Sequence, residues 1–245
     1  PGVARQYGID HTNSKYITFM DSDDYLYDPY ALTSLYNGII NRECDLLVSN
    51  FLYERDNESL VKEKNLIWLH GKVYRRKFLV DNNIHFNDTR ANEDNGFNRL
   101  VLLNNPRVWY IDKLTYVYSD YEESITRRNN RLFKFTGLEG YTYNMYWAMN
   151  ELIKQNRNID MVAETSVGVI TAMYYYYLEL YEKYDVSKIL GWSKKIKEVF
   201  DMYKDKYIKQ YKVNYFLNTK EREYANVDLK KVITFDEFLR KIEEV

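Results

Sequence analysis

The sequence predicts an α/β fold in its first half and an all-helical region in its second, on three observations. Short strand-favouring runs alternate with amphipathic helical segments as far as Tyr118. One such run, Tyr16 to Met20, stops at three carboxylates within four positions, Asp21-Ser22-Asp23-Asp24. From about Arg131 the strand signals disappear and long helical periods take over. The seam near Asn129-Asn130 divides the chain into a mixed region, 1–130, and a helical one, 131–245.

Taken in order, Val3 to His11 reads as a short helix with Val3, Tyr7 and Ile9 as its buried side, ended by Thr12-Asn13-Ser14. The strand Tyr16 to Met20 and the acidic loop follow. Asp28-Pro29 is a helix start, with Asp as N-cap and Pro at the first helical position. Leu32, Leu35, Tyr36, Ile39 and Ile40 keep helical spacing up to Asn41. Asp45 to Phe51 is a second strand, Asp56 to Lys64 a charged loop or hairpin tip, and Leu66 to Leu69 a short strand broken by His70-Gly71-Lys72. Arg75 to Asp81 reads as helix, Ile84 to Phe86 as extended, and Glu93 to Leu103 as an amphipathic helix with Phe97, Leu100, Val101 and Leu103 inward. Val108 to Tyr110 and Leu114 to Tyr118 close the α/β part as strands. Helices are then expected over roughly 131–156, 160–184, 187–212 and 234–244.

Composition narrows the function classes. The 245 residues carry 35 Lys+Arg against 36 Asp+Glu, a net charge of -1, so no global field recruits nucleic acid. Hydrophobic residues make up 45%, enough for a sizeable core, and 26 tyrosines predict an amphipathic core margin, since each buried hydroxyl needs a partner. The single cysteine, Cys44, excludes an internal disulfide and fits a reducing, cytoplasmic compartment. The longest apolar run, Val167 to Leu178, has 12 residues, too few for a membrane span. The sequence opens Pro1-Gly2-Val3 without Met and runs straight into structured-looking residues, which leads us to expect that it starts in mid-domain.

The acidic loop carries the sharpest chemistry. In open α/β sheets ligands bind beyond the carboxyl ends of strands. Carboxylates crowded there repel one another unless a positive charge sits between them, and a hard divalent cation completed by phosphate oxygens meets that need. Standing alone, Asp-Ser-Asp is equally a polar turn. An EF-hand does not fit: counted from Asp21, the fifth and twelfth loop positions fall on Tyr25 and Leu32, and the sixth is not Gly.

Gly2-Val3-Ala4-Arg5-Gln6 with Gly8-Ile9, followed by Lys15 to Asp24, resembles the middle of a family 2 glycosyltransferase of the GT-A fold, where a helix with an Ala-Arg-Asn step leads to a strand and an Asp-x-Asp motif. Gln6 departs from the family's usual Asn. Asn92-Glu93-Asp94-Asn95-Gly96-Phe97 looks like the family's Glu-Asp motif at a helix start. His70 to Leu79 is similar to the Lys-x-Tyr-Arg-Arg segment of bacterial and phage members. The resemblance covers residues 1 to about 128. It implies an N-terminally incomplete GT-A sheet: the nucleotide-holding βαβ unit would precede Pro1.

The resemblance further implies an inverting transfer of a sugar from a nucleotide-diphosphate donor, a UDP-sugar favoured, to an acceptor hydroxyl on a glycan, glycolipid or protein. Mg²⁺ or Mn²⁺ would be held by Asp23 as the direct ligand and by Asp21 through water or the ribose. Asp120 stands where some relatives supply a third ligand, often His. Asp94 is the candidate general base, with Glu93 turned elsewhere on the helix. Arg5, Asp21, His70, Lys72, Arg90 and Glu93 are the candidate donor or substrate contacts. Asp24 supports the ligands or caps the turn, and the cap is the preferred reading. Arg75, Arg76 and Lys77 read as a solvated helix face. Trp68 stacks on a sugar or belongs to the core.

In the second region, Trp192 to Lys212 sets seven lysines against three acids around an apolar stripe. It reads as a docked helix with a solvated basic face; the alternative is peripheral association with an anionic membrane. Tyr174 to Tyr177 point around a helix, so some of them must meet another helix or a second subunit. Two other functions stay open on the residues alone: a calcium-binding module, and a non-catalytic relative serving as an interaction domain.

Overall fold

A computed structural model describes residues 1–55, 58–119, 133–181, 183–207 and 233–245. The chain divides into two compact units, Pro1–Phe133 and Lys134–Val245.

The first unit is a six-stranded mixed sheet with helices. Its elements run α1 (Gly2–Asp10), β1 (Tyr16–Ile17), β2 (Tyr25–Leu26), α2 (Ala31–Arg42), β3 (Leu46–Arg55), β4 (Glu58–Lys62), β5 (Lys72–Arg75), α3 (Arg76–Asp81), α4 (Glu93–Leu103) and β6 (Val108–Tyr118). The strand order is β1-β5-β3-β6-β2, with β4 also pairing with β3. The central pair, β3 and β6, is parallel, and the remaining pairs are antiparallel.

Alternation along β5 explains the layers. Val73 joins Leu35, Ile39, Cys44 and Leu47 in the core beneath α2. Its neighbour Tyr74 meets Phe97 of α4, within an aromatic cluster that includes Phe19 and Phe86. The Tyr74 hydroxyl donates to Asn98 Oδ1 (2.7 Å), so the deepest tyrosine is satisfied. Gly38 allows α2 to approach β3 closely, since an added Cβ would lie 2.8 Å from Leu47 Cδ2.

Several elements differ from their sequence expectations for local reasons. In α1, Val3 and Tyr7 are exposed and Gly2 and Ile9 are buried. The Gly2 side is flush against Asn87 and Glu93, so any Cβ there would sit 2.6 Å from the Asn87 carbonyl oxygen, while the Tyr7 ring stacks on His11. The expected strand through Met20 ends at Ile17, where the Thr18 hydroxyl takes over the role of a ladder bond by donating to the Lys72 carbonyl (2.7 Å). Leu66 to Leu69 is a run of bends, because Asn65 Oδ1 accepts from the amides of Ile67 (3.0 Å) and Trp68 (2.8 Å) and competes with any strand. The charged loop is in part strand β4, and the two last expected strands are one, β6, with an irregular register opposite Ser49 to Phe51. Helix α2 starts after a turn in which Asp28 Oδ1 accepts from the Tyr30 amide (2.7 Å), and its Leu32 and Tyr36 are exposed. Arg75 is only partly exposed and pairs with buried Asp45, which also accepts from the Arg107 amide (2.9 Å).

The second unit is helical: α5 (Phe133–Lys154), α6 (Ile159–Leu180), α7 (Ser187–Tyr207) and α8 (Phe235–Glu243). Tyr174 is buried, donates to the Ile233 carbonyl (2.8 Å) and meets Phe235 and Phe238, while Tyr177 meets Phe238. The tyrosine run is therefore met by a helix of the same chain. Thr234 and Glu237 form a capping box that starts α8. On α7, Ile196, Val199 and Phe200 are buried; Lys195 pairs with Glu198, Lys197 with Asp201 and Glu243, and Lys204 with Asp201, the pattern of a docked helix. The end of the expected basic stripe, 208–212, lies outside the described residues. Among the described residues no helix is long and apolar enough to cross a membrane.

Gly71 is the backbone joint of the first unit. Its φ is +63°, and an added Cβ would lie 2.7 Å from Ser49 Oγ. Ser49 meanwhile donates both its amide and its hydroxyl to the Gly71 carbonyl (2.8 Å each). Gly71→Ala should cost about 1–3 kcal/mol for the left-handed conformation, with steric cost added. Urea denaturation should show a lower midpoint at unchanged m; a midpoint equal to that of the parent would contradict this account.

Candidate active site

The sheet brings four segments to one edge. Strand β1 ends there and leads into the acidic loop, β6 ends there at Tyr118, and antiparallel β5 begins there after His70 and Gly71. The start of α4 supplies Glu93 and Asp94.

The acidic loop is a turn closed by the Asp24 amide on the Asp21 carbonyl (3.2 Å). Such a turn brings its first and fourth residues together and directs the middle ones outward. Asp21 and Asp24 accordingly converge, and Asp23 is exposed. Asp24 is buried. It accepts from the Tyr116 hydroxyl at Oδ2 (2.5 Å) and from the Ser119 amide at Oδ1 (3.0 Å), so it anchors the end of β6 and does not cap the loop. His70 Nδ1 lies 3.9 Å from Asp24 Oδ2, and its ring stacks on Tyr118. Asp21, Asp24 and His70 each offer one ligand atom, all within 4.8 Å of one another. Burial pushes the His70 imidazole down to about 4, so its nitrogen lone pair is available at neutral pH. Burial, with the charges of Asp21 and Asp23 adding to it, pushes Asp24 up to about 6, although Tyr116 and Ser119 hydrogen-bond its charged form. Two carboxylates and a neutral imidazole make a donor set that could hold a divalent cation.

Arg5 joins this cluster to α4. One guanidinium nitrogen pairs with Asp21 Oδ1 and the other donates to Glu93 Oε1 (2.5 Å). Glu93 is buried and held by that fork, and Asp94 follows it in the first turn of α4. Burial, with Glu93's charge next to it, pushes Asp94 up to about 6. Lys72 is wholly buried on β5 and donates through Nζ to the Trp68 carbonyl; burial pushes it down to about 7 against the pull of Asp94. Trp68 is half-buried among Phe51, Tyr53, His70 and Tyr118. Gln6, standing where Asn was the expected type, accepts from the Phe86 amide (2.9 Å).

Most of the candidate residues therefore meet. Arg5, Asp21 and Glu93 form one chain of contacts, His70 joins Asp21 and Asp24, and Lys72 lies within the electrostatic reach of Asp94. Arg90 is exposed, Asp23 is outside the three-ligand cluster, and Asp120 lies outside the described residues. Sequence reasoning assigned no role to Tyr116 and did not count His70 as a ligand. The signals were a Gly after His70 and the two-residue spacing of Tyr116 and Tyr118 on one strand face.

Comparison with known proteins bears on the fold and on the first part of the chain. Residues 1–91 match glycosyl transferase family 2. That match falls wholly within the first unit. The Streptococcus pneumoniae glycosyltransferase GlyA is 26% identical over 200 residues, 70% of this chain and 27% of the relative. S. aureus TarS 1-349 in complex with UDP-GlcNAc superposes with a TM-score of 0.62 at 18% identity, over 82% of this chain and 62% of that one. The TarS 1-349 complex with UDP gives 0.60 at 16% identity, over 100% and 70%. The chain thus spans about a quarter of GlyA and under two thirds of the first TarS structure. These neighbours show the GT-A-like fold of a mixed sheet followed by helices.

Arg5→Met should leave Asp21 and Glu93 without their shared cation. Breaking a buried pair in this way costs about 3–5 kcal/mol. Arg5→Lys should recover only part, since an ammonium cannot fork to two carboxylates. Urea unfolding at neutral pH checks the order; equal midpoints for the two variants would contradict the fork.

Proposed function

We propose that this chain transfers a sugar from a nucleotide-diphosphate donor to an acceptor hydroxyl by direct displacement with inversion. The observation that carries this reading is the Arg5 fork, which joins the acidic loop, inside the family 2 match at residues 1–91, to the Glu93-Asp94 helix start just beyond it. The TarS neighbours, in complex with UDP-GlcNAc and with UDP, favour a UDP-sugar as donor. The acceptor is a glycan or glycolipid, and a nucleotide-sugar donor places the reaction in the cytoplasm, at the inner membrane face where the acceptor is lipid-linked.

Asp21, Asp24 and His70 are the residues that would hold Mg²⁺ or Mn²⁺. When bound, such an ion supplies positive charge to the departing diphosphate. Asp94 takes the proton of the acceptor hydroxyl as its oxygen bonds to the anomeric carbon and the bond to the diphosphate breaks. Asp94 suits this because Arg5 holds Asp21 and Glu93 and Tyr116 holds Asp24, so of these four carboxylates it is the one engaged by neither. Burial raises its basicity toward the range where a general base is effective. Lys72 and Arg5 bring positive charge to the donor side.

Asp94→Asn should lower transfer about 10²–10⁴-fold while donor affinity is kept. In the parent, kcat/KM should fall tenfold per pH unit below about 6, since the protonated acid cannot accept a proton, and level off above it. Normal transfer by Asp94→Asn, or a flat profile through pH 6, would sink the assignment. Absence of both transfer and hydrolysis with every UDP- and GDP-sugar in the presence of metal would sink the activity itself.

A further inference from the structure

We propose that Tyr116 is a positioning residue for the cation site: its single hydroxyl locks the two ends of the acidic loop so that Asp21 and Asp24 face His70. The proposal rests on the reading above that the three residues take a divalent cation. The hydroxyl has one proton to give and lone pairs to receive. It gives the proton to Asp24 Oδ2 (2.5 Å) and accepts the Asp21 amide (3.2 Å), so one oxygen ties the first carboxylate residue of the loop to the last. The remaining Asp24 oxygen takes the Ser119 amide (3.0 Å), three residues beyond Tyr116 on the same chain segment. Both oxygens of Asp24 are thereby fixed, each with a lone pair left for a cation.

Tyr116 suits this role in three further ways. It is 3% exposed, so water does not compete for the hydroxyl. It stands on β6, the partner of both the central strand β3 and of β2, which leaves the loop. Its ring lies against the His70 ring, with centroids 4.8 Å apart, so the same side chain sets the position of the imidazole and of Asp24. Tyr116→Phe keeps the ring and its packing and removes only the oxygen. The Asp24 carboxylate and the Asp21 amide then lose their common partner, and the loop is released from β6. Partners that orient ligands in this way are worth about 10–100-fold in metal affinity.

The test uses the full chain and MnCl₂, with and without UDP, and follows binding from the electron paramagnetic resonance of free Mn²⁺. Tyr116→Phe should raise the Mn²⁺ dissociation constant about 10–100-fold. Because the hydroxyl acts through Asp24, the same change in an Asp24→Asn background should add little, a non-additivity that general loosening of the fold would not produce. A metal-free measurement separates the two layers of the argument: amide hydrogen exchange at residues 21–24 should speed up in Tyr116→Phe while exchange in α2 and β3 stays as in the parent. Unchanged loop exchange, unchanged Mn²⁺ affinity, or additive effects with Asp24→Asn would overturn the positioning role. A parent chain that binds no Mn²⁺ yet shows the faster loop exchange in the variant would overturn the cation reading and with it the purpose assigned to the lock.

Discussion

The structure of the first unit depends on how few positive charges meet its crowded carboxylates. Asp21, Asp24, Glu93 and Asp94 converge on one edge of the sheet, and two unit charges 4 Å apart near a protein surface interact by about 4 kcal/mol. Arg5 is the cation that makes this tolerable. Its fork engages Asp21 and Glu93 together, which a lysine could not do at one point. The other basic groups nearby are muted: burial holds His70 neutral and draws Lys72 toward neutrality. Asp24 and Asp94 are left short of countercharge, and both are pushed up to about 6. A site with this imbalance favours a partner that brings positive charge to Asp24 and a proton to Asp94, and the proposed sugar transfer would supply both.

Rigidity around this charge cluster comes from the backbone. Ser49 and Thr115, both buried, meet through their hydroxyls (2.5 Å) where the β3–β6 register is irregular, and Ser49 also holds Gly71. The left-handed Gly71 then turns the chain so that His70 faces the acidic loop on one side while Lys72 enters β5 on the other. Gly2 plays the matching part for α1, whose close approach to Asn87 and Glu93 sets Arg5 within reach of both its acids. The groups with chemistry are thus carried by elements whose positions are fixed by glycine and hydroxyl contacts beneath them.

Much of this was legible in the sequence, and the exceptions have common causes. The α/β-to-helical division and helices α2 to α4 followed from periodicity, whereas the Arg5 fork to Asp21 and Glu93 became visible only in the structure. Burial was misread on α1 and α2 because Val3, Tyr7, Leu32 and Tyr36 keep an apolar spacing while the contact face is set by small residues, Gly2 and Ala31. The strand at Leu66 to Leu69 failed because a single Asn65 side chain outweighs the β-propensity of its neighbours. The spacing of Tyr116 and Tyr118 marks a shared strand face, but one such pair does not stand out among 26 tyrosines, and only the pairing of β6 with β2 brings that face over the loop.

Asp23 and Asp24 are placed differently by the way the acidic loop closes. Asp21 and Asp23 are two apart, and in an extended strand that spacing puts side chains on one face. The strand, however, has ended at Ile17, and the loop closes as a turn between Asp21 and Asp24. In a turn the pair that converges is three apart, so the carboxylate that joins Asp21 is the one that looked, in sequence, like a spare. Burial then makes Asp24 depend on β6 for its hydrogen bonds, and β6 supplies them from Tyr116 and Ser119. The geometry of the acidic loop is for that reason a property of the sheet as much as of its own four residues: the same carboxylates on an untethered loop would relax apart under their mutual repulsion.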